Sequence, residues 1–449
     1  MNLSDTFLDE LRAITGDKNV ITKGNRLDKN SRDCYWYSPV LKQQLDDKVA
    51  DVIVQPDTVE QLIEVVACCV QARVPITPRG AGTGNYGQSI PIHGGVLVST
   101  RNLTQILELT PDYAHVEAGV VLHTMEMAAR EIGAELRFFP STLPTATAGG
   151  FFAGGSAGPG SIKWGNLWDE GNILNATILT IEEIPQHFTV SDPDALQTLI
   201  HNCGLTAIIT DLTFALAPRE PWQQYIVAFD NFEDAIRMGY KLAFDEAQPT
   251  RLATPIDWPA PSFFKQLHRV DACPDGKPIL LLHLTMDRPE VEALAAQMGG
   301  QVTWHSPEAS LHRGSIELTD YAWNHTTLWA IKADKRWTYL QDEFDPERVY
   351  EQVRQRKARY GDDIIDHLEF SRADGILRPT GLTLVRYHSH EHLFELMDYC
   401  ESIGILQYSP HTTYLDEEDT RWVSAHLVET KKKWDPYNLL NPGHLKALE

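Results

Sequence analysis

A chain of 449 residues with 43% hydrophobic side chains exceeds one ordinary domain and can bury a sizeable core, so two globular domains are expected. Its 62 acidic against 39 basic side chains give a net charge of -23, which argues against nucleic acid or anionic membrane as partners, because those polyanions recruit Lys and Arg. The six cysteines show no Cys-x-x-Cys spacing, so neither structural zinc nor an iron–sulfur cluster is suggested, and reduced core thiols are expected.

The amino terminus lacks the charged and apolar regions of a signal peptide, and no stretch approaches the ~20 apolar residues needed to cross a bilayer. A cytoplasmic protein without an integral membrane segment is expected. Leu3 to Ile14 is apolar at helical spacing and predicts a short amphipathic lead-in helix. Asp51 to Pro56 reads as a buried strand, and Asp57-Thr-Val-Glu60 as a capping box for a helix running to about Ala72. A strand from Val74 to Thr77 then delivers the chain into Pro78-Arg-Gly-Ala-Gly-Thr-Gly-Asn-Tyr-Gly87.

That loop is where backbone must approach something other than protein. Glycine tolerates positive φ and lets successive N–H groups converge on one point, which makes an anion-binding concavity; Arg79, Thr83 and Asn85 can add donors, and a pyrophosphate is the natural occupant. Gly82 to Gly87 formally matches G-x-G-x-x-G, yet the dinucleotide fingerprint must open a helix and be followed roughly 20 residues on by an acidic residue at the ribose. Here Gln88-Ser-Ile-Pro-Ile-His-Gly-Gly95 follows, and no helix can start. The stretch reads as a phosphate loop between strands.

Val96 to Ser99 and Ala114 to Glu117 are strand-like, and Val121 to Ile132 has helical spacing. A second small-residue segment follows, Pro140-Ser-Thr-Leu-Pro-Thr-Ala-Thr-Ala-Gly-Gly150, continuing through Ala153 to Gly158 and on to Trp164-Gly165. Asn175 to Ile184 and Ala207 to Leu216 are β-rich, with Pro218 and Pro221 marking a boundary. Beyond it, Gln224 to Phe229, Ile279 to Met286, Leu382 to Tyr387 and Ile405 to Ser409 read as extended, and Phe232 to Phe244, Glu290 to Met298 and His390 to Ser402 as helical. The run Glu343 to Arg359 reads as a solvated helix face. A helix from Glu417 to Lys432 precedes Trp434-Asp-Pro-Tyr-Asn-Leu-Leu-Asn-Pro-Gly443.

Three of these segments, in this order, carry a resemblance. The loop from Pro78 to Gln88, the segment from Pro140 to Gly165 and the ending from Trp434 to Gly443 are similar to the signatures of the vanillyl-alcohol oxidase and p-cresol methylhydroxylase superfamily, particularly the branch with the flavin subunit of glycolate oxidase and D-lactate dehydrogenases. The resemblance implies an α+β fold: an FAD-binding domain over 1–220, an antiparallel-sheet substrate or cap domain over 221–406, and a return to the first domain over 407–449. It implies Arg79, Gly80, Gly82, Thr83 and Gly84 at the pyrophosphate, with Pro78, Ala81, Asn85 and Gln88 of the same loop also binding the cofactor. Pro140, Ser141, Thr142, Thr147 and Gly150 should lie along the ribityl chain and ring, with Ser156, Gly158, Ser161, Trp164 and Gly165 continuing the contact, Ile209 near the adenine and Asn441 near the ring pocket. Relatives that attach flavin do so through a histidine where this chain has Gly82, or a cysteine where it has Ser141 to Thr145. FAD is therefore expected without a covalent link.

The implied activity is oxidation of a small alcohol or 2-hydroxy acid by hydride transfer to flavin N5, with oxygen, a quinone or a partner protein as acceptor. An NADPH-dependent reductase of the same fold and a flavin-bearing subunit of a larger complex are the alternatives; a sugar substrate and a homo-oligomer stay open. A base for the hydroxyl proton is wanted on the covering sheet, which makes His411 and Tyr408 the first candidates. Arg386 and His388 form a second group, and Arg378 and Arg386 could bind a carboxylate bidentately. Zinc through His388, His390 and His392 is the alternative for that group, but the branch's Gly-His-x-Gly-Asp-Gly-Asn-x-His segment is absent, which weakens both a metal and the specific 2-hydroxy-acid assignment, so the three read as solvated histidines at a helix start and no metal is expected.

Overall fold

The computed structural model describes residues 3–309, 311, 314–416 and 426–448. The lead-in helix Asp5–Thr15 starts at Ser4, whose side chain accepts from Phe7 N. It buries Phe7 and Leu11 in a core built from a parallel sheet. In that sheet Val52–Val54 and Ile76–Arg79 flank Val96–Ser99 in parallel, with Val20–Ile21 antiparallel on the far edge. Both faces of the central strands are buried, which explains their unbroken Val and Ile content. Helix Val59–Gln71 makes the crossover. Its cap is Thr58, accepting from Gln61 N, while Gln61 Oε1 accepts from Asp57 N. The reciprocal pair thus sits one residue later than the spacing Asp57…Glu60 predicts, because the β-branched Thr58 holds the extended conformation a cap needs.

Ile76–Arg79 is an edge strand, and the carboxy-terminal segment covers it. Ile76 N donates to Leu439 O at 2.7 Å and Asn441 N to Ile76 O at 2.6 Å. Lys431, 1% exposed, pins that segment by donating to Leu205 O, Leu440 O and Asp435. The described part of the expected helix Glu417 to Lys432 is Leu427–Trp434; residues 417–425 lie outside the described residues.

A second, antiparallel sheet runs Ile106–Leu109, Tyr113–Glu117, Ile208–Pro218, Ile173–Leu179, His187–Val190, with Ala134–Leu136 joined to the end of its long central strand. Its core includes Phe139, Phe152 and Trp434. Further along the chain, Gln223–Phe229 pairs antiparallel with Ile279–Leu284 and Gly300–Ser306, and Thr250–Ile256 lies outside Ile279–Leu284. Helix Phe232–Phe244 packs on this sheet through Ala235, Ile236 and Met238. Two small antiparallel sheets complete this half, one of Trp337–Tyr339, Leu384–Arg386 and Ile364–Ile365, the other of Leu368–Ala373, Ile376–Gly381, Asp342–Glu343 and Leu406–Gln407. The architecture is α+β throughout.

Two expectations need correction. The strand carrying Arg386 ends there, and Ser389 caps helix His390–Ser402, so residues 386, 388 and 390 do not alternate on one strand face. The charged run from Glu343 is not merely a solvated face: in helix Val349–Tyr360, Arg356 is fully buried between Asp342 and Asp366 and also reaches Thr383 Oγ1 at 2.8 Å. Charge spacing alone could not show that two aspartates distant in sequence neutralise it.

Candidate functional site

The edge strand Ile76–Arg79 opens directly into the glycine loop, where Gly82 and Gly87 take φ of 67° and 73°. The second small-residue segment meets it. Thr147 caps helix Ala148–Gly154 by accepting from Gly150 N, and a Cβ at Gly80 would stand 2.2 Å from Thr147 Oγ1. Glycine at 80 is thus what lets the two segments touch. Together they wall one cleft, to which Pro78, Arg79, Gly80, Ala81, Gly82, Thr83, Gly84, Asn85, Gln88, Pro140, Ser141, Thr142, Thr147, Gly150, Ser156 and Ile209 all contribute.

Side chains on this wall are mostly tied to protein. Arg79 is packed under the loop, its guanidinium donating to Arg32 O at 2.5 Å and Ser89 Oγ at 3.2 Å, with a Cβ at Gly82 blocked by the same group. It braces the loop, in place of the free anion donor expected from its position. Burial pushes the neighbouring Asp33 carboxyl up to about 6 against the pull of Arg79. Asn85 donates across to Tyr339 Oη at 2.8 Å. By contrast, among the described residues no protein acceptor engages the backbone N–H groups of residues 80–85. Those free donors fit a pyrophosphate, and a wall of glycines and small side chains leaves room for a long ligand such as FAD.

Five expected contacts lie off the cleft lining. Gly158 packs against Phe139 O and donates to Ser161 Oγ, Ser161 is fully buried, Trp164 lies under Arg137, and Gly165 ends the short helix Ser161–Trp164 at φ 78°. The segment turns away from the cleft after Ala157. Asn441 sits behind the wall, its Nδ2 donating to Gln88 O at 2.7 Å and Cys203 O at 2.9 Å. It holds the loop's end in register.

None of the five catalytic candidates lines the cleft. His411 is buried with its ring nitrogens against Ser38 Oγ and Tyr339 O, and burial drives its pKa down to about 4. Tyr408 Oη and Arg378 both engage Glu343. Arg386 pairs with Asp334 and Asp363 over the Trp337 ring, and His388 meets Asp363 at 3.0 Å. Each has a partner within the protein, with Arg378 Nε alone among these groups buried and unpaired.

The far end of the cleft is instead closed by Tyr37, Tyr86, Trp323, Asn324, His325, Gln341 and Leu382. Gln341 Nε2 donates to Tyr86 Oη at 2.5 Å. Trp323 holds φ of 53°, a left-handed conformation for a bulky residue, and its N–H donates to the buried Glu369 at 2.7 Å. Glu369 is fixed by Thr254 Oγ1 at 2.6 Å and His367 Nε2 at 2.9 Å. Helix Asn324–Ala333 begins at that turn. Burial lowers the His325 pKa to about 4, so its imidazole is neutral near pH 7; Asp320 stands 3.9 Å away, its own pKa raised to about 6 by burial and by Glu317. Tyr86 lies inside the glycine loop itself. Trp323 to His325 had no sequence signal beyond three adjacent nitrogen-bearing side chains.

Residues 50–181 match the model of the FAD binding domain family. The chain is 24% identical over 429 residues to glycolate oxidase subunit GlcD of Bacillus subtilis, covering 88% of this chain and 89% of that protein. It is 29% identical over 194 residues to D-lactate dehydrogenase of Anaerostipes hadrus, a match spanning 41% of this chain and 40% of that one. A solved structure of alkyldihydroxyacetonephosphate synthase superposes with a TM-score of 0.72 at 14% identity, covering 99% of this chain and 86% of its own. The chain therefore carries an FAD-binding domain over residues 50–181, which include both glycine segments, in a fold of the p-cresol methylhydroxylase type, and is an FAD-dependent oxidoreductase related to glycolate oxidase subunits and D-lactate dehydrogenases.

Proposed function

We propose that this protein oxidises the CH–OH group of a small alcohol or 2-hydroxy acid, using FAD held without a covalent link. The observation that carries the reading is a cleft walled by both glycine segments and closed at its far end by polar side chains from the second half of the chain. Support for a non-covalent cofactor comes from the lining: Gly82 and Ser141 to Thr142 carry no attaching group, His93 is not among the lining residues, and burial raises the lining thiol of Cys203 to about 12, which keeps it protonated.

FAD, when bound, supplies the two-electron acceptor that takes the substrate's hydride as the carbinol carbon becomes a carbonyl. The chain's own part is placement and proton handling. The N–H groups of residues 80–85 would hold the pyrophosphate, and Asn441 keeps their loop in place. At the far end Tyr86, Asn324 and Gln341 would orient the hydroxyl. His325, neutral near pH 7, would accept its proton. His411, Tyr408, Arg386, His388 and Arg378 have no part in this reading, since each is committed elsewhere. The final electron acceptor would be oxygen, a quinone or a partner protein. The likeness to a protein named as a subunit supports a partner chain as a second reading.

The test is anaerobic. Glycolate, D-lactate, xylitol and NADPH are mixed separately with the FAD-loaded protein and the visible band is followed. Bleaching by a hydroxyl compound with NADPH inert supports the proposal; rapid bleaching by NADPH alone overturns it in favour of a reductase.

A further inference from the structure

A buried tyrosine normally finds a partner for its hydroxyl, a group that can both give and accept a hydrogen bond. Here Tyr35 donates to Asp46 at 2.9 Å, Tyr225 to Met286 O at 2.8 Å and Tyr321 to Gln266 Oε1 at 3.1 Å, while Tyr339 Oη accepts from Asn85 and Tyr86 Oη meets Gln341. Tyr37 is the exception among the buried tyrosines. It is 5% exposed, and no described residue bonds its Oη. Nor is that oxygen among the unpaired polar atoms shut off from water. Since Tyr37 lines the cleft, its hydroxyl opens there.

The segment that carries Tyr37 is fixed from both sides. Cys34 N donates to Gly84 O at 2.7 Å, which ties the turn Tyr35–Tyr37 to the glycine loop, and Tyr37 O accepts from Thr338 Oγ1 at 2.8 Å in the second half of the chain. The Tyr37 ring stands edge-on to Tyr339, with centroids 6.0 Å apart. It shares an apolar core with Tyr86 and Leu382, which also close the far end, and does not belong to the core of Phe139 and Phe152 beside the second glycine segment. The phenol is therefore placed by the far-end packing, where the substrate of the reading above would lie.

Burial pushes the Tyr37 pKa up, so the phenol stays protonated and can serve as donor or acceptor by rotating its hydrogen. Water can reach it in the open cleft. A ligand that covers the phenol must replace that bond, because a hydroxyl left buried without one is costly. An oxygen of the ligand does so; a methylene cannot.

We infer that Tyr37 is a substrate-binding residue, its phenol bonding an oxygen of the compound held at the far end of the cleft. This rests on the CH–OH oxidation proposed above. The experiment uses the full chain loaded with FAD and kept free of oxygen. Glycolate, D-lactate and xylitol are titrated separately into the wild-type protein, and the one that bleaches the visible band at the lowest concentration is carried to Tyr37→Phe and to Tyr35→Phe, a control on the same segment. Tyr37→Phe should raise the concentration that half-saturates the rate of bleaching about tenfold, with FAD uptake and the urea midpoint unchanged, because the hydroxyl removed has no protein partner. Tyr35→Phe loses its bond to Asp46 and should do the reverse, lowering the midpoint and leaving the half-saturating concentration as it was. An unchanged half-saturating concentration in Tyr37→Phe overturns the inference, as does an equal rise in Tyr35→Phe. Weaker FAD uptake in Tyr37→Phe also overturns it, by assigning the phenol to the cofactor, and a lowered midpoint does so by assigning it to the protein. A wild-type protein bleached by none of the three compounds sinks the CH–OH reading itself and the inference with it.

Discussion

Gly80→Ala is the sharpest probe of how the two glycine segments are joined. Gly80 has an ordinary backbone conformation, so the substitution adds a methyl group without backbone strain, and its whole effect is the meeting of that methyl with Thr147 Oγ1 at 2.2 Å. Relief requires either local overpacking, about 1–3 kcal/mol, or rotation of Thr147 away from Gly150 N, which loses a helix cap at about 1 kcal/mol. A destabilisation of about 2 kcal/mol follows for the single change. Thr147→Ala alone should cost about 1 kcal/mol, through the cap. In the double variant the clashing oxygen is gone, and Thr147 Cβ at 3.5 Å is in ordinary contact, so the second substitution should add nothing or recover stability. Urea unfolding of the four FAD-free proteins would give a coupling of about 1–2 kcal/mol with unchanged m-values. FAD affinity should fall in Gly80→Ala and recover in the double variant. Additive costs would refute the contact.

Three further substitutions test the parts around the cleft. Asn441→Ala removes two buried hydrogen bonds to Gln88 O and Cys203 O and should cost about 1–3 kcal/mol, with weakened FAD uptake read by dialysis; full FAD affinity would show that the loop does not depend on it. Arg356→Met leaves Asp342 and Asp366 buried without their cation and should lower the urea midpoint by the equivalent of about 3–5 kcal/mol, whereas a change near zero would mean the pair is not charged. His411, neutral in the folded protein with a pKa of about 4 against 6.5 outside it, contributes stability that is present above pH 6.5 and lost as pH falls towards 4, because the unfolded chain then binds a proton the folded one does not. His411→Gln should flatten the dependence of stability on pH in that window by up to about 1.4 kcal/mol per unit; an unaltered slope would contradict a neutral buried imidazole.

The cofactor half was legible because its chemistry is written in consecutive residues. Glycines at which a Cβ would meet a neighbouring side chain, Gly80 against Thr147 and Gly82 against Arg79, appear in sequence as clusters, and a cluster can be read. What a side chain does within it could not be read: Arg79 looks like an anion donor until Arg32 and Ser89 are seen to occupy it. The far end was illegible for a related reason. Tyr86, Trp323 and Gln341 are brought to one cleft by tertiary packing alone, and the feature that singles out Trp323, a left-handed backbone stabilised by Glu369, leaves no trace in periodicity or composition. Conversely, His411 and Arg386 drew attention as functional residue types, and only the structure supplies the Ser38, Tyr339, Asp334 and Asp363 partners that satisfy them. Arg356 shows the same limit, since burial of a charge depends on partners the helix pattern cannot reveal.

The measurement closest to the central claim is the visible absorption spectrum of the purified protein after incubation with FAD and removal of excess, followed by acid precipitation. Bands near the ~370 and ~450 nm of oxidised flavin that pass wholly into the supernatant are the predicted result, and they would fix FAD as a tightly held, non-covalent cofactor. Colour retained in the pellet would contradict the non-covalent site. A protein that stays colourless would contradict the account of the cleft itself.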